Sequence, residues 1–152
     1  MIVGFVAYGL PGPQGSKRFV GRSATGRGIM VESSAKVKPW RQDVRFSALQ
    51  AAEAAALAGP IEGPLRVSMT FTLPKPASAP KRRTTWPDRK PDLSKLIRST
   101  EDAITDAGLW RDDARVVEVV AAKRYPNEGA DALDRPGVVV KVWRVDLPEL
   151  DL

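Results

Sequence analysis

The sequence predicts a two-layer α/β (α+β) domain in which two main helices pack on one mixed β-sheet. The chain has 152 residues, of which 43% are apolar and 28% charged, and this balance is typical of one globular domain. Its hydrophobic periods follow the order strand, helix, strand, helix, strand, strand. No internal repeat is visible. We therefore expect residues 1–152 to form a single domain.

The first half of the chain begins with a short apolar run from Ile2 to Leu10, which predicts a strand. The polar, glycine-rich segment from Gly21 to Gly28 predicts a mobile loop. Apolar residues then recur at helical spacing from Lys38 to Ala58, and Gly59-Pro60 is a stop signal. These patterns predict a strand, a loop and a first helix.

Strict alternation from Leu65 to Leu73 predicts a strand with one apolar and one solvated face. Residues 74–91 contain five prolines, so we expect a semi-extended, basic, proline-rich connection there. An apolar stripe from Leu93 to Ala107 predicts a second helix, which Gly108 can end in the left-handed conformation. Two β-branched runs, Val116 to Ala122 and Val138 to Val145, predict the last strands.

The composition excludes several kinds of chemistry. The chain contains no Cys and no His, which rules out disulfides, thiolate nucleophiles, Ser-His-Asp catalysis and histidine-bound metals. The absence of Cys is compatible with a reducing compartment, and no apolar run approaches the roughly 20 residues of a membrane span. We therefore expect a cytoplasmic protein with no membrane partner, and any catalysis must use carboxylates, Lys, Arg, Ser or Tyr.

Charge is distributed unevenly along a chain whose formal net charge is +6. Ser16 to Arg45 contains eight basic residues against two acidic ones, and residues 75–91 contain six against one. Glu101 to Glu118 reverses the balance, with six acidic residues against two basic ones. The basic stretches favour a nucleic acid partner over a merely solubilising surface. The predicted DNA-binding residues are Lys17, Arg18, Arg22, Arg27, Lys81, Arg82, Arg83, Arg89, Lys90 and Lys95.

Aspartates at the start of the second helix and before the next strand could converge if the helix packs back on the sheet. Asp92 precedes the helix, and Asp112 and Asp113 precede the strand. Mg²⁺ is bound by a few carboxylates and by phosphate oxygens, and it activates water without help from histidine. Arg98 or Lys95 could stabilise charge at phosphorus. The alternative is structural, with Asp92 as a helix cap and Asp112-Asp113 as a turn.

Four tryptophans, Trp40, Trp86, Trp110 and Trp143, are candidates for core packing. Trp86 is the exception, because it lies between basic residues of the connection and could stack on a nucleic acid base.

The segment from Lys90 to Val117 reads KPDLSKLIRSTEDAITDAGLWRDDARVV. It resembles the signature of the RusA family of phage-derived Holliday-junction resolvases, in which Asp-Leu-Asp-Asn-Leu is followed by a Lys, an Asp-Ala-Leu and Ala-Gly-aromatic-x-Asp-Asp before a Val-Val strand. The match runs without a gap, and weaker similarity covers most of the chain.

The resemblance implies a RusA-like fold and a homodimer that resolves four-way DNA junctions in recombination and repair. It also implies a Mg²⁺ site, which Mn²⁺ could occupy instead, built from three aspartates with an assisting Lys. Two of the aspartates correspond to Asp92 and Asp113, and Asp112 is the neighbour of the second. Arg98 takes the place of the Lys. The remaining aspartate is Ser94 here, so Asp112, Asp102 or Glu101 would have to supply the missing charge.

Three alternatives stay open at this stage. Ser94 could make the protein bind junctions without cutting them. Pro91-Asp92 could begin a PD-(D/E)xK nuclease motif, although Glu118 is five residues from Lys123 and does not complete it. A structural or ribosome-associated basic protein would explain the charge, but not the arrangement of Asp92 and Asp113.

Overall fold

Apolar alternation and helical periodicity build one α+β domain in the computed structural model. The structure describes residues 1–15, 17–22, 28–32 and 35–145, and within 17–22 and 28–32 it describes the backbone alone. Its elements are, in chain order, β1 (Val3–Tyr8), β2 (Lys17–Arg22), β3 (Gly28–Glu32), α1 (Val37–Ala54), β4 (Leu65–Thr72), α2 (Leu93–Ala107), β5 (Val116–Arg124) and β6 (Gly137–Arg144).

Four strands form a mixed sheet in the order β1-β6-β4-β5. β4 is antiparallel to β6 and parallel to β5, and β1 is antiparallel to β6. The core lies between this sheet and the two helices. Its fully buried residues come from alternate positions of β4 and β6 and from the apolar stripes of α1 and α2: Val67, Met69, Phe71, Val138, Val140, Val142, Trp40, Val44, Leu96 and Ile104. The two-layer mixed-sheet prediction is confirmed.

The two helices pack against each other as well as on the sheet. The buried indole of Trp40 in α1 donates a hydrogen bond from Nε1 to Thr100 Oγ1 of α2, at 3.1 Å. The hydroxyl of Ser99, also buried in α2, donates to the carbonyl of Gly12 at 2.6 Å. These bonds satisfy polar groups that would otherwise be costly to bury, so they fix the position of α2 relative to α1 and to the loop after β1.

The boundaries of α2 agree with the prediction, whereas α1 ends earlier than expected. Gly108 adopts φ 77°, the left-handed conformation that ends α2. The first helix ends at Ala54 rather than at Ala58, because Ala56 takes a positive φ of 53° and the amide of Leu57 bonds back to the carbonyl of Ala52. The turn is therefore made by alanines before Gly59-Pro60 is reached.

Two further predictions require correction. The face of β4 expected to be solvated is partly covered, since Thr70 is 7% exposed and Thr72 is fully buried. Thr72 Oγ1 accepts a hydrogen bond at 2.8 Å from the amide of Leu133, in the connection between β5 and β6 that lies over this face. Gly21, Arg22 and Gly28 of the predicted Gly21–Gly28 loop belong instead to the antiparallel hairpin β2-β3, and residues 23–27 of that loop lie outside the described residues.

The proline-rich connection 74–91 contains no helix or strand, as predicted, but it is anchored to the β5-β6 connection. Glu128 accepts hydrogen bonds from Lys75 Nζ at 2.6 Å and from the amide of Thr85 at 2.8 Å. Both charged side chains of this pair are at most 16% exposed. The hydrogen bond from Lys75 is the main cause that lowers the pKa of Glu128, and the hydrogen bond from the Thr85 amide lowers it further. A fixed connection therefore leads into α2.

Candidate active site

Asp92 stands at the amino end of α2 with its carboxylate uncommitted to helix capping. It occupies the N-cap position with extended backbone (φ −66°, ψ 134°), and its side chain makes no capping hydrogen bond. Lys95 Nζ lies 3.9 Å from Asp92 Oδ2, and both side chains are about half exposed, at 46% and 53%. Asp92 is thus the N-cap residue by position, but its side chain does not cap the helix, and this carboxylate remains available to a ligand.

Lys123, which the sequence did not single out for the site, fixes the neighbourhood of Asp92. Its Nζ donates to the carbonyl of Arg89 at 2.9 Å and to that of Pro91 at 3.0 Å. The end of β5 is thereby held against the start of α2. In the sequence Lys123 looks like an ordinary strand residue, and only the tertiary contact shows its role.

A cleft of about 720 Å³ opens at this amino end of α2. Prolines of the loop after β1 and of the connection 74–91 form much of its wall, and Tyr125 contributes an aromatic ring. Its charged lining consists of Asp92, Lys95, Arg89, Lys90 and Lys36. The cleft has the size of a small-ligand site, and four cations beside one carboxylate suit a phosphate-bearing ligand.

Asp112 and Asp113 lie beyond the carboxyl end of α2, at a 3₁₀ turn (Asp113–Arg115) that leads into β5. Asp112 Oδ1 accepts a hydrogen bond at 2.8 Å from the amide of Ala114, and this bond lowers the pKa of Asp112. The side-chain hydrogen bond with Asp112 raises the pKa of Asp113, helped by burial and by the charges of Asp112 and Asp102. Of the two aspartates, Asp113 therefore holds a proton more readily than Asp112 does.

Glu101 completes an acidic cluster at this end, together with Asp102, Asp112 and Asp113. Burial, followed by repulsion from Asp113 and Asp102, raises the pKa of Glu101 to about 7. Like charges held this close favour protonation or a bound cation. In the sequence Glu101 and Asp102 were considered only as substitutes for the charge missing at Ser94. In the structure the charge of Asp113 raises the pKa of Glu101, and the charge of Asp102 raises the pKa of Asp113.

The two ends of α2 are too far apart for Asp92 and Asp113 to share one ion within a protomer. The helix has 15 residues, which corresponds to about 22 Å at the usual rise. β5 runs antiparallel to α2, because Lys123 near the end of β5 contacts Pro91 at the start of α2. Val116, at the start of β5, is seven residues before Lys123, or about 23 Å away along the strand. Within the part of the chain that the structure describes, no three His, Cys, Asp or Glu side chains are placed to hold a metal ion.

The predicted trio of Asp92, Asp112 and Asp113 therefore does not fit a single Mg²⁺ in one chain. The expectation of convergence assumed that packing the helix on the sheet would bring its start to the start of β5. The observed direction brings it to the end of β5 instead. Ser94 and Arg98 lie exposed on α2 between the two ends, and their roles in catalysis stay predictions.

Of the predicted DNA-binding residues, Arg89, Lys90 and Lys95 line the cleft at the amino end of α2. Lys81, Arg82, Arg83, Arg89 and Lys90 are all exposed, and Lys95 is 46% exposed. Lys17, Arg18 and Arg22 belong to β2, where the structure describes the backbone alone, and Arg27 lies outside the described residues. DNA contact by any of these side chains stays a prediction.

Comparison with known proteins identifies a family for this chain. The family model of endodeoxyribonuclease RusA matches residues 11–142, which include both ends of α2. A search of curated proteins finds no match. Among the described helices, none is long and apolar enough to cross a membrane. The chain belongs to the RusA family of endodeoxyribonucleases.

Proposed function

We propose that the protein cuts four-way DNA junctions by paired phosphodiester hydrolysis, as a homodimer that requires Mg²⁺. Family membership supports an endodeoxyribonuclease, and the observation that carries the proposal is the placement of Asp92 in a cleft among exposed cations. Phosphates of two DNA strands would lie along these cations, so binding should weaken steeply with salt. Because a junction offers two symmetry-related strands, a twofold dimer suits it.

The free edge of the sheet supports the homodimer. β5 is an edge strand, and Val117, Val119 and Val120 are 62%, 37% and 59% exposed. Exposed apolar edge strands are prone to pair with another strand. Antiparallel pairing of β5 with its copy would set the start of one strand against the end of the other. Asp113 would then approach the partner subunit's Asp92.

Such a dimer supplies what one protomer lacks. Carboxylate oxygens are the ligand type that Mg²⁺ prefers, and one or two carboxylates with substrate phosphate suffice to bind it. Asp112 and Asp113 of one chain with the partner subunit's Asp92 form a donor set of this kind. The cation would also relieve the repulsion that raises the pKa values of Glu101 and Asp113.

Junction cleavage by three proteins tests the proposal. Wild-type protein with Mg²⁺ should introduce symmetric nicks into a labelled four-way junction and none when EDTA is present. Asp113→Asn should reduce cleavage by at least about 10³-fold while keeping junction binding, because it removes a metal-ligating charge. Asp106→Asn is the matched control, since Asp106 lies near the end of α2, seven residues before Asp113, but pairs with Arg41 at 2.8 Å. Full cleavage by Asp113→Asn would contradict the proposal.

Ser94 favours a second candidate, a protein that binds junctions and cuts them poorly. Its hydroxyl supplies no negative charge where the family signature has an aspartate. Ser94→Asp should then raise the cleavage rate, measured in single turnover at saturating Mg²⁺. An unchanged rate would mean that Glu101, Asp102 or Asp112 already provides the charge.

A further inference from the structure

Trp86 is an exposed aromatic side chain held on a fixed backbone. Its side chain is 64% exposed, whereas Trp40 and Trp110 are fully buried. The preceding residue, Thr85, donates its amide to Glu128, and the following residue, Pro87, is buried. The chain is therefore anchored on both sides of an indole that projects to the surface.

Arg124 at the end of β5 covers one side of this indole. Its guanidinium carbon lies 4.9 Å from the centre of the Trp86 ring, and its Nη1 donates to the carbonyl of Lys123 at 3.1 Å. A Cβ on Gly129 would lie 2.9 Å from Arg124 Nε, so the glycine leaves room for this guanidinium. The Arg124 guanidinium holds the indole in place by a cation–π interaction, and the rest of the indole surface stays exposed to solvent.

The surroundings of Trp86 are cationic, which indicates what the open side of the ring would bind. Arg82, Arg83, Arg89 and Lys90 are exposed in the same connection, and Asp88 is its one acidic residue. A small cleft of about 200 Å³, lined in part by Trp86, Arg89 and Tyr125, adjoins the ring. An aromatic face within a basic groove is the usual arrangement for stacking an unpaired base of a nucleic acid strand.

Trp86 also lies at the same end of the sheet as Asp92. Arg124 follows Lys123, whose Nζ contacts the carbonyl of Pro91 immediately before Asp92. A base stacked on Trp86 would therefore belong to a strand that passes close to the proposed cutting site.

We infer that Trp86, supported by Arg124, stacks an unpaired base of branched DNA and makes the protein select junctions over duplex. The inference rests on the proposed function for its substrate. Bases of a continuous duplex are stacked on one another and cannot reach the ring, whereas strands at a branch point can present an unstacked base. Phosphate contacts alone do not distinguish the two forms of DNA, so the indole supplies a distinction that the cations cannot.

Binding of a four-way junction and of a linear duplex of equal length, measured by fluorescence anisotropy at fixed salt, tests this role. Trp86→Ala should weaken junction binding by roughly 5- to 100-fold and leave duplex binding within about twofold. Trp86→Phe should restore most of the junction affinity, and Trp86→Leu should not. Phe46→Ala is the matched control, since Phe46 is 62% exposed on α1, and it should change neither affinity. Equal losses on both DNAs, or none, would overturn the inference.

Tryptophan fluorescence provides a measurement that is independent of cleavage. Adding single-stranded oligothymidylate to wild-type protein should quench emission, and the quenching should disappear in Trp86→Phe. Arg124→Gln should reduce it. Quenching that persists in Trp86→Phe would place the base elsewhere and overturn the inference. If quenching depends on Trp86 but the wild type does not cut junctions, the proposed function fails and stacking stands; if junctions are cut and Trp86 has no effect, only stacking fails.

Discussion

The two ends of α2 bear opposite electrostatic character. The amino end combines one available carboxylate, Asp92, with Lys95, Lys123, Arg89 and Lys90. The carboxyl end gathers the four acidic side chains Glu101, Asp102, Asp112 and Asp113, two of them with raised pKa values. One end is rich in cations and the other is rich in carboxylates. Under the proposed function hydrolysis of DNA needs both together, and a second protomer would then complete the site.

Blocking the edge strand β5 should have the largest effect on cleavage, because it would keep the amino end of α2 in one protomer away from the acidic carboxyl end in the other. Val120→Lys places a charge on exposed β5, and we expect the protein to become monomeric with cleavage reduced by at least about 100-fold. Val6→Lys is the matched control, since Val6 is 41% exposed on β1, the opposite edge of the sheet. Light scattering gives the mass and a junction assay gives the rate. A dimeric Val120→Lys protein with full activity would contradict this role of β5.

A smaller effect should follow from removing exposed cations of the connection 74–91. Replacing Arg82 and Arg83 together by Ala should weaken DNA binding about tenfold near 0.1 M salt and lower the salt slope by about two. Replacing Lys38 and Arg45, exposed on α1, should have little effect. Titrations at several salt concentrations measure both quantities. An unchanged slope for the first pair would show that these arginines do not contact phosphate.

The smallest effect concerns the acidic end and depends on pH. Since the folded protein raises the pKa of Glu101 to about 7, it binds a proton more tightly than the unfolded chain does. That stabilisation is present below the ordinary glutamate pKa of 4.5 and is lost as pH rises through about 7. At pH 8, Glu101→Gln should therefore be more stable than wild type by about 1–2 kcal/mol, allowing for solvent screening at this partly exposed site.

Urea unfolding at pH 5 and pH 8 without divalent ions measures this difference. At pH 5 the wild type and Glu101→Gln should be nearly equal. Glu53→Gln, an exposed change on α1, should follow the wild type at both pH values. If Glu101→Gln lost as much stability as the wild type between the two pH values, Glu101 would not be the group responsible.

Local sequence patterns predicted the helices and strands better than they predicted the contacts between them. The stripe and terminal glycine of α2 gave its boundaries, and the alternation of β4 gave that strand. The burial of Thr72 was not predictable, because the covering residue, Leu133, is 61 positions away. The hairpin β2-β3 was missed because its glycines and charges obscure the period-two pattern.

The candidate site shows the same limit. Asp92, Asp112 and Asp113 were found from residue type and signature, but Lys123 and the raised pKa of Glu101 depend on contacts that only the fold creates. The relative direction of α2 and β5, which separates the aspartates, is likewise absent from local sequence. Trp86 was identified from its basic neighbours alone, whereas its support by Arg124 required the structure.

Mixing two inactive variants tests most directly whether the site is shared between protomers. Asp92→Asn and Asp113→Asn proteins should each fail to cut a junction with Mg²⁺. After subunit exchange, about half of the dimers are mixed, and each mixed dimer contains one site with both aspartates intact. The account predicts that nicking returns to about a quarter of the wild-type rate, as single rather than paired cuts. If the exchanged mixture stayed inactive, each site would lie within one chain and the account would be contradicted.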